Sequence, residues 1–137
     1  HGISTICLRP VFVAHPGSPH SGGFGTEAFV EMWRNELWAY VDIRDVVDAV
    51  LLSLRTDGVL HDRFLLAARD TSVSEATQDL VAREYPDVPW PAVERDDYLA
   101  DDPHISLIDC HHAREVLGWE ARRSWRDASP IAQEPRR

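Results

Sequence analysis

Lysine is absent from this chain. All 14 basic side chains are arginine, which excludes from these residues a Walker phosphate loop, a Schiff-base lysine and any tyrosine–lysine catalytic pair. Methionine occurs once, at Met32, so a segment ahead of His1 is expected. Cysteine is scarce: Cys7 and Cys110 stand far apart, in no C-x-x-C pair, which fits two separate thiols in a reducing compartment. Apolar runs long enough to cross a membrane, about 18 residues, are missing, as is the basic-then-apolar start of a signal peptide. A cytoplasmic protein with no membrane partner is expected. Positive charge is in deficit, with 23 acidic residues giving a net charge of −9. A field of that sign repels polyanions, and no basic stripe offsets it, so nucleic acid is not an expected partner.

What is present reads as one α/β domain. The length of 137 residues suits a single core, and 44% hydrophobic with 27% charged residues is ordinary for a globular protein. "ISTICLRP", residues 3–10, carries apolar or small groups on both faces and ends at Pro10, the habit of a strand covered on both sides in a parallel sheet. A Gly/Pro/Ser/His loop follows to Gly25, and "TEAFVEMWRNE" predicts a short helix capped by Thr26, with Phe29, Val30 and Trp33 on one side.

The stretch "LWAYVDIRDVVDAVLLSL", residues 37–54, passes from an extended segment into a helix with Asp42 as its N-cap. Ile43, Val46, Val47, Val50, Leu51 and Leu54 recur at spacings of three and four, which predicts an apolar stripe against a core. "RFLLAA", residues 63–68, predicts another buried strand, and "SEATQDLVAREY" a helix opened by Ser74. Residues 86–104 are proline-rich and then acidic, as in a surface excursion. Asp109 is placed to cap "CHHAREVL", with Gly118 at its C-terminal end and Trp119 folding back on the last turn. Two persuasive strands cannot make a doubly wound sheet, so part of a larger sheet is expected.

Three segments in order, "HGISTICLRPVFVAHP", "WAYVDIRDVVDAVLLSL" and "LIDCHHAREVLGWEARRSWRD", resemble the C-terminal half of the NAD-dependent epimerase/dehydratase family of extended short-chain dehydrogenases. Members typically carry L-R-P-x-N-V-Y-G-P, then Y-V-x-V-x-D-V-A-x-A, then D-x-x-K-A-x-x-L-G-W. The resemblance implies residues 1–137 of an α/β fold: the C-terminal, substrate-side part of a Rossmann-type NAD(P)-binding fold, an incomplete sheet with flanking helices. The N-terminal half, with its glycine-rich turn and Tyr-x-x-x-Lys pair, is absent. It implies NAD or NADP in an intact parent, no tight cofactor binding by this chain alone, a carbohydrate-like small-molecule substrate, and a parent able to form a homodimer.

By the same resemblance, Pro10 and Val11 pass the nicotinamide ring, while Phe12, His15, His20, Phe24 and Trp38 border the substrate. No catalytic residue and no metal ligand is assigned. Phe12 stands where the family often has asparagine, and Trp38 where sugar-nucleotide epimerases place a phosphate-clamping arginine, which turns the expectation from a nucleotide-diphosphate sugar toward a smaller or uncharged substrate. Tyr40 and Arg44 share the Tyr-x-x-x-Lys spacing, but arginine stays protonated and cannot readily relay a proton. Asp45 and Asp48 are expected on a solvated helix face near its positive end. A non-catalytic binding or interaction module, or the product of a truncated gene, is the competing expectation.

Overall fold

The computed structural model describes residues 3–15, 18, 21–89, 95–99 and 102–127. Its elements are β1 (Thr5–Pro10), β2 (Phe12–Ala14), α1 (Glu27–Met32), β3 (Tyr40–Asp42), α2 (Ile43–Ser53), β4 (His61–Leu66), α3 (Thr77–Glu84), α4 (Arg95–Leu99) and α5 (His111–Leu117). The architecture is mixed α/β, with two small parallel sheets, β1–β4 and β2–β3, and five helices among the described residues. Parallel neighbours need a crossover: α1 lies in the connection from β2 to β3, and α1 and α2 both lie in the connection from β1 to β4. No helix among the described residues is long and apolar enough to cross a membrane.

In β1–β4 the register pairs Leu8 with Phe64 and Pro10 with Leu66. Ile6, Leu8, Phe64 and Leu66 join the largest core cluster, with Val41, Ala49, Ala113, Leu117 and Trp119. The opposite face differs from the expectation of a strand covered on both sides: Thr5, Cys7 and Arg9 are exposed, and Leu65 beside them is 43% exposed. Among the described residues, only one face of this sheet is packed.

The junction at residues 40–43 has a local cause. Tyr40, Val41 and Asp42 are buried and paired to Phe12, Val13 and Ala14. Asp42 keeps an extended backbone while its carboxylate accepts the Arg44 N–H at 2.8 Å, satisfying one free donor of the first helical turn. The direction of α2 corrects the sequence reading. Ala49 is buried and Val46 and Leu52 pack partly on the core, whereas Ile43, Val47, Val50, Leu51 and Leu54 are 38–79% exposed. The expected stripe therefore faces mainly outward, because α2 is apolar on two sides and the sheet uses the other one.

At α5, Asp109 accepts the His111 N–H at 2.7 Å, and Gly118 takes the left-handed conformation (φ +65°) as the chain turns back. The Trp119 N–H returns to the Ala113 carbonyl. Two other caps differ from expectation. The Thr26 hydroxyl donates backward to Gly23 O at 2.6 Å rather than receiving a helix N–H, and Ser74 donates to Gly25 O at 3.0 Å while α3 starts later, at Thr77. The 86–104 stretch, part of which lies outside the described residues, comes back to the fold at its end. The carbonyls of Pro103 and His104 accept from Thr77 and Thr71, and Ile105 pairs antiparallel with Asp70.

Candidate functional site

In parallel sheets ligands gather beyond the carboxyl ends of the strands, where side chains and loops diverge. Here β1 and β4 run in register and end together at Pro10 and Leu66. Pro10 has no N–H to extend the ladder; the Val11 N–H donates to Leu66 O at 3.1 Å and the Ala68 N–H to Tyr40 O at 2.6 Å, which brings β3 to the same edge.

Three concavities meet at this edge around residues 108–110. A cleft of about 420 Å³ lies between Ala67, Ala68 and Arg69 on one side and Tyr98, Ile108, Cys110 and Arg114 on the other. It shares Ile108 with a hollow of about 390 Å³ lined by Val11, Phe12 and Leu37. It shares Asp109 and Cys110 with a smaller one of about 140 Å³ bounded by Arg9, Arg63 and His112.

The polar groups of the cleft include two arginines, a thiol and a phenol. Arg69 and Arg114 are each more than half exposed and hold Asp127 and Glu120 at 3.4 and 3.2 Å, pairs that open at little cost to meet a ligand. Burial pushes the Cys110 thiol up, with the Asp109 charge adding to the effect against the opposing Ala67 N–H, which donates to Sγ at 3.3 Å. A thiol so held is a poor nucleophile. Burial likewise raises the Tyr98 phenol, helped by Asp109 and Cys110, and its hydroxyl donates to Ser106 O. Among the described residues no three His, Cys, Asp or Glu side chains form a group able to hold a metal ion.

The structure distributes the residues expected at a site as follows. Pro10 is exposed at the end of β1, and Val11 is half-buried, lining the apolar hollow. Phe12 lies with its ring 4.4 Å from Trp33 and 6.4 Å from Phe24. Phe24 in turn contacts Phe29, Tyr40 and Trp125 at 5.5, 5.0 and 6.0 Å. Val11, Phe12 and Phe24 thus belong to one apolar, largely aromatic wall. His15 is exposed, its carbonyl accepting from Ser18 N and Ser21 Oγ; His20 lies outside the described residues. Trp38, expected beside a substrate, has no exposed surface and donates from Nε1 to Val30 O at 2.8 Å. It reaches the core because Leu37 and Trp38 both take φ of +55°, an uncommon conformation for such residues that turns the chain sharply before β3.

Two buried carboxylates fix the segment 119–126 across this wall. Asp70 is 2% exposed; it accepts from Tyr40 OH at 2.7 Å, Ser124 Oγ at 2.6 Å and Arg126 Nη1 at 2.6 Å. Asp45, expected on a solvated face, is fully buried and accepts from the backbone of Arg122 and Arg123 and from the Arg123 guanidinium. Asp48, half-exposed, shares that guanidinium. Tyr40 and Arg44 are not partners. Arg44 forks onto Asp42 at 2.8 and 2.7 Å, and the Tyr40 phenol, bonded to Asp70, is driven up by burial first and the Asp70 charge second.

Arg69, Tyr98, Ile108, Cys110 and Arg114 escaped the sequence reading. Their only local signal was the Asp109 cap, which fixes where α5 begins and hence where Cys110 stands. No family model, curated protein or solved structure matches the chain.

Proposed function

We propose that this chain is the substrate-side part of an NAD(P)-dependent oxidoreductase of the epimerase/dehydratase type. In this reading it is the C-terminal part of a Rossmann-type fold, acts in the cytoplasm and is inactive by itself. The observation that carries the reading is the convergence of parallel β1 and β4 on concavities at their carboxyl ends, with Val11 and Phe12 at the lip. The order of the three sequence segments supports it. The residues present fit one end of a dinucleotide only. Pro10 has no N–H and the Val11 N–H is used by Leu66, which leaves carbonyl oxygens as acceptors for a carboxamide, and the sequence has no G-x-G-x-x-G turn for the pyrophosphate. When bound, the cofactor would supply hydride chemistry. This chain's share is to bind and to exclude water, through the aromatic wall of Phe12 and Phe24 and the donors of Arg69 and Arg114.

Backbone NMR of the purified chain titrated with a panel of free sugars, sugar phosphates and nucleotide sugars tests this, alongside an assay of NAD(P)-linked turnover. The reading expects shifts confined to residues 11–12, 67–69 and 105–114 with at least one compound, and no turnover. Turnover by the chain alone would refute the division of labour, and a panel without such shifts would refute the substrate-side role. The outward apolar face of α2 favours a second reading, an interaction module. That reading expects a partner at α2 and no sugar-dependent shifts.

A further inference from the structure

Among the described residues seven arginines hold acidic side chains, Arg44, Arg69, Arg114 and Arg126 among them. Arg9 and Arg63 hold none there, although the chain carries 23 acidic residues against 14 basic ones. The sheet sets them side by side. Cys7 pairs with Arg63 and Arg9 with Leu65, so the two arginines are diagonal neighbours on β1 and β4, and alternation puts both on the exposed face.

Both line the recess of about 140 Å³ that is closed by Leu65, Cys110 and the His112–Ala113 turn of α5. His112 is a fixed wall: its ring stacks on Phe64 at 5.0 Å, and its Nε2 lies 3.0 Å from both oxygens of Asp62. Asp62 is engaged there and by the Arg63 backbone N–H at 2.7 Å, not by the Arg63 guanidinium. Asp109, the carboxylate on the lining itself, accepts the His111 N–H through Oδ1.

Two guanidinium groups held side by side repel, and a single anion between them relieves both. A carboxylate has its two oxygens in one plane and matches one fork, whereas a tetrahedral oxyanion offers oxygens to two forks rising from different strands. The volume agrees. It is several times the roughly 30 Å³ share of one water and below the roughly 300–1,000 Å³ of pockets for drug-sized molecules, which is room for one oxyanion group with part of its hydration. The walls come from β1, β4 and α5 of this chain, so no further part of the fold is needed to form the recess. A helix laid across this end of the sheet would bury two unpaired cations, which is costly, and sheet faces covered by helices carry apolar runs instead.

We infer that Arg9 and Arg63 form a site for a tetrahedral oxyanion of the phosphoryl type, seated against α5. The site adjoins the cleft of Arg69 and Arg114, sharing Asp109 and Cys110 with it. It does not rest on the substrate-side reading, since neither Val11, Phe12 nor Arg69 lines it.

Titration of the purified chain with inorganic phosphate at low ionic strength, followed by NMR of the backbone amides and arginine Nε–H groups, tests it. Saturable shifts are expected at residues 9, 63 and 109–113. Arg9→Gln and Arg63→Gln should each raise the dissociation constant at least about 10-fold. Arg55→Gln removes the same charge from an exposed arginine at the end of α2 and should leave the constant within about 2-fold. Circular dichroism melts check that the variants fold; Arg63→Lys, which keeps the charge and loses the fork, gives a second reading with a rise of at least about 3-fold. Acetate, with the chemistry of a carboxylate side chain from an adjoining polypeptide, should bind at least about 10-fold more weakly than phosphate. Glycerol phosphate binding more tightly than inorganic phosphate would identify an esterified phosphoryl group as the ligand, and the reverse a free ion. No saturable shifts through the millimolar range, binding indifferent to the Arg9 and Arg63 variants, an equal loss in Arg55→Gln, or acetate binding as tightly as phosphate would each overturn the inference. Phosphate shifts at residues 9 and 63, with free sugars causing none at 11–12 and 67–69, would leave this site standing and the substrate-side reading refuted.

Discussion

Asp70 shows how one buried side chain organises the wall of the candidate site. Its two oxygens receive donors from β3, from Ser124 and from Arg126, and the Tyr40 oxygen in turn accepts the Trp125 N–H at 3.0 Å. Breaking a buried pair leaves the remaining cation without compensation in a poorly solvating place, a loss of about 3–5 kcal/mol. Asp70→Ala should therefore lower the urea unfolding free energy by about 3 kcal/mol, and Asp70→Asn by less, since an amide still accepts. A loss under about 1 kcal/mol for the alanine variant would show that the network is not a structural anchor. Asp42 gives a prediction in pH. The Arg44 side chain holds its carboxyl below the usual range, against the opposing effect of partial burial. With the folded value lowered, the unfolded chain binds the proton more readily. The contribution is thus complete well above the unfolded value of about 3.9 and is lost as pH falls through the depressed folded one. Unfolding free energies measured between pH 7 and pH 2 should decline more shallowly in Arg44→Ala than in the unaltered chain. Parallel declines would remove the pair as the cause.

At the scale of elements, the loop at residues 21–25 is held between α1 and the 119–126 segment, and Gly25 is where they meet. Its φ is +79°, its N–H donates to Ser72 O at 2.9 Å, and an added Cβ would lie 2.7 Å from the Trp125 ring. Gly58 shares the conformation, with φ +82°, but faces open space. The left-handed conformation alone costs an L-residue about 1–2 kcal/mol, and a rigid ring adds an overpacking penalty of about 1–3 kcal/mol. Gly25→Ala should accordingly destabilise the chain by at least about 1 kcal/mol more than Gly58→Ala in thermal or urea melts. Equal losses would mean that Trp125 moves aside freely and does not clamp the Phe24 loop. Much at this scale is legible locally. The Asp42 cap, the Asp109 carboxylate that accepts the first N–H of α5, the Gly118 turn and the existence of β1, β4 and α2 all follow from residues adjacent in the chain. Thr26 and Ser74 defeat the same reasoning because the carbonyls of Gly23 and Gly25 compete for their hydroxyls.

For the molecule as a whole, the net charge of −9 repels polyanions and other copies of the chain through solvent, and added salt screens this because the Debye length shrinks from tens of Å at low salt to about 8 Å at physiological ionic strength. The exposed sheet face and the exposed stripe of α2 express one imbalance: the described residues carry more apolar surface than their own core consumes.

By itself, the sequence determined the mixed α/β character, the main strands and helices with most of their end signals, and an acidic surface, because each depends on neighbours in the chain or on composition. Of the residues that the resemblance singled out, Val11 and Phe12 line one hollow and Phe24 packs on Phe12. Only the tertiary structure decided which side of α2 is inside. Val46, Ala49 and Leu52 compete with Ile43, Val47, Val50 and Leu54 on the same helix, and periodicity cannot rank two apolar faces when the choice belongs to the sheet beneath. The same limit hid the burial of Trp38, Asp45 and Asp70 and the meeting of Arg69, Cys110 and Arg114. Each of these is fixed by partners elsewhere in the fold, joined through backbone turns and buried hydrogen bonds that chain-local spacing does not encode.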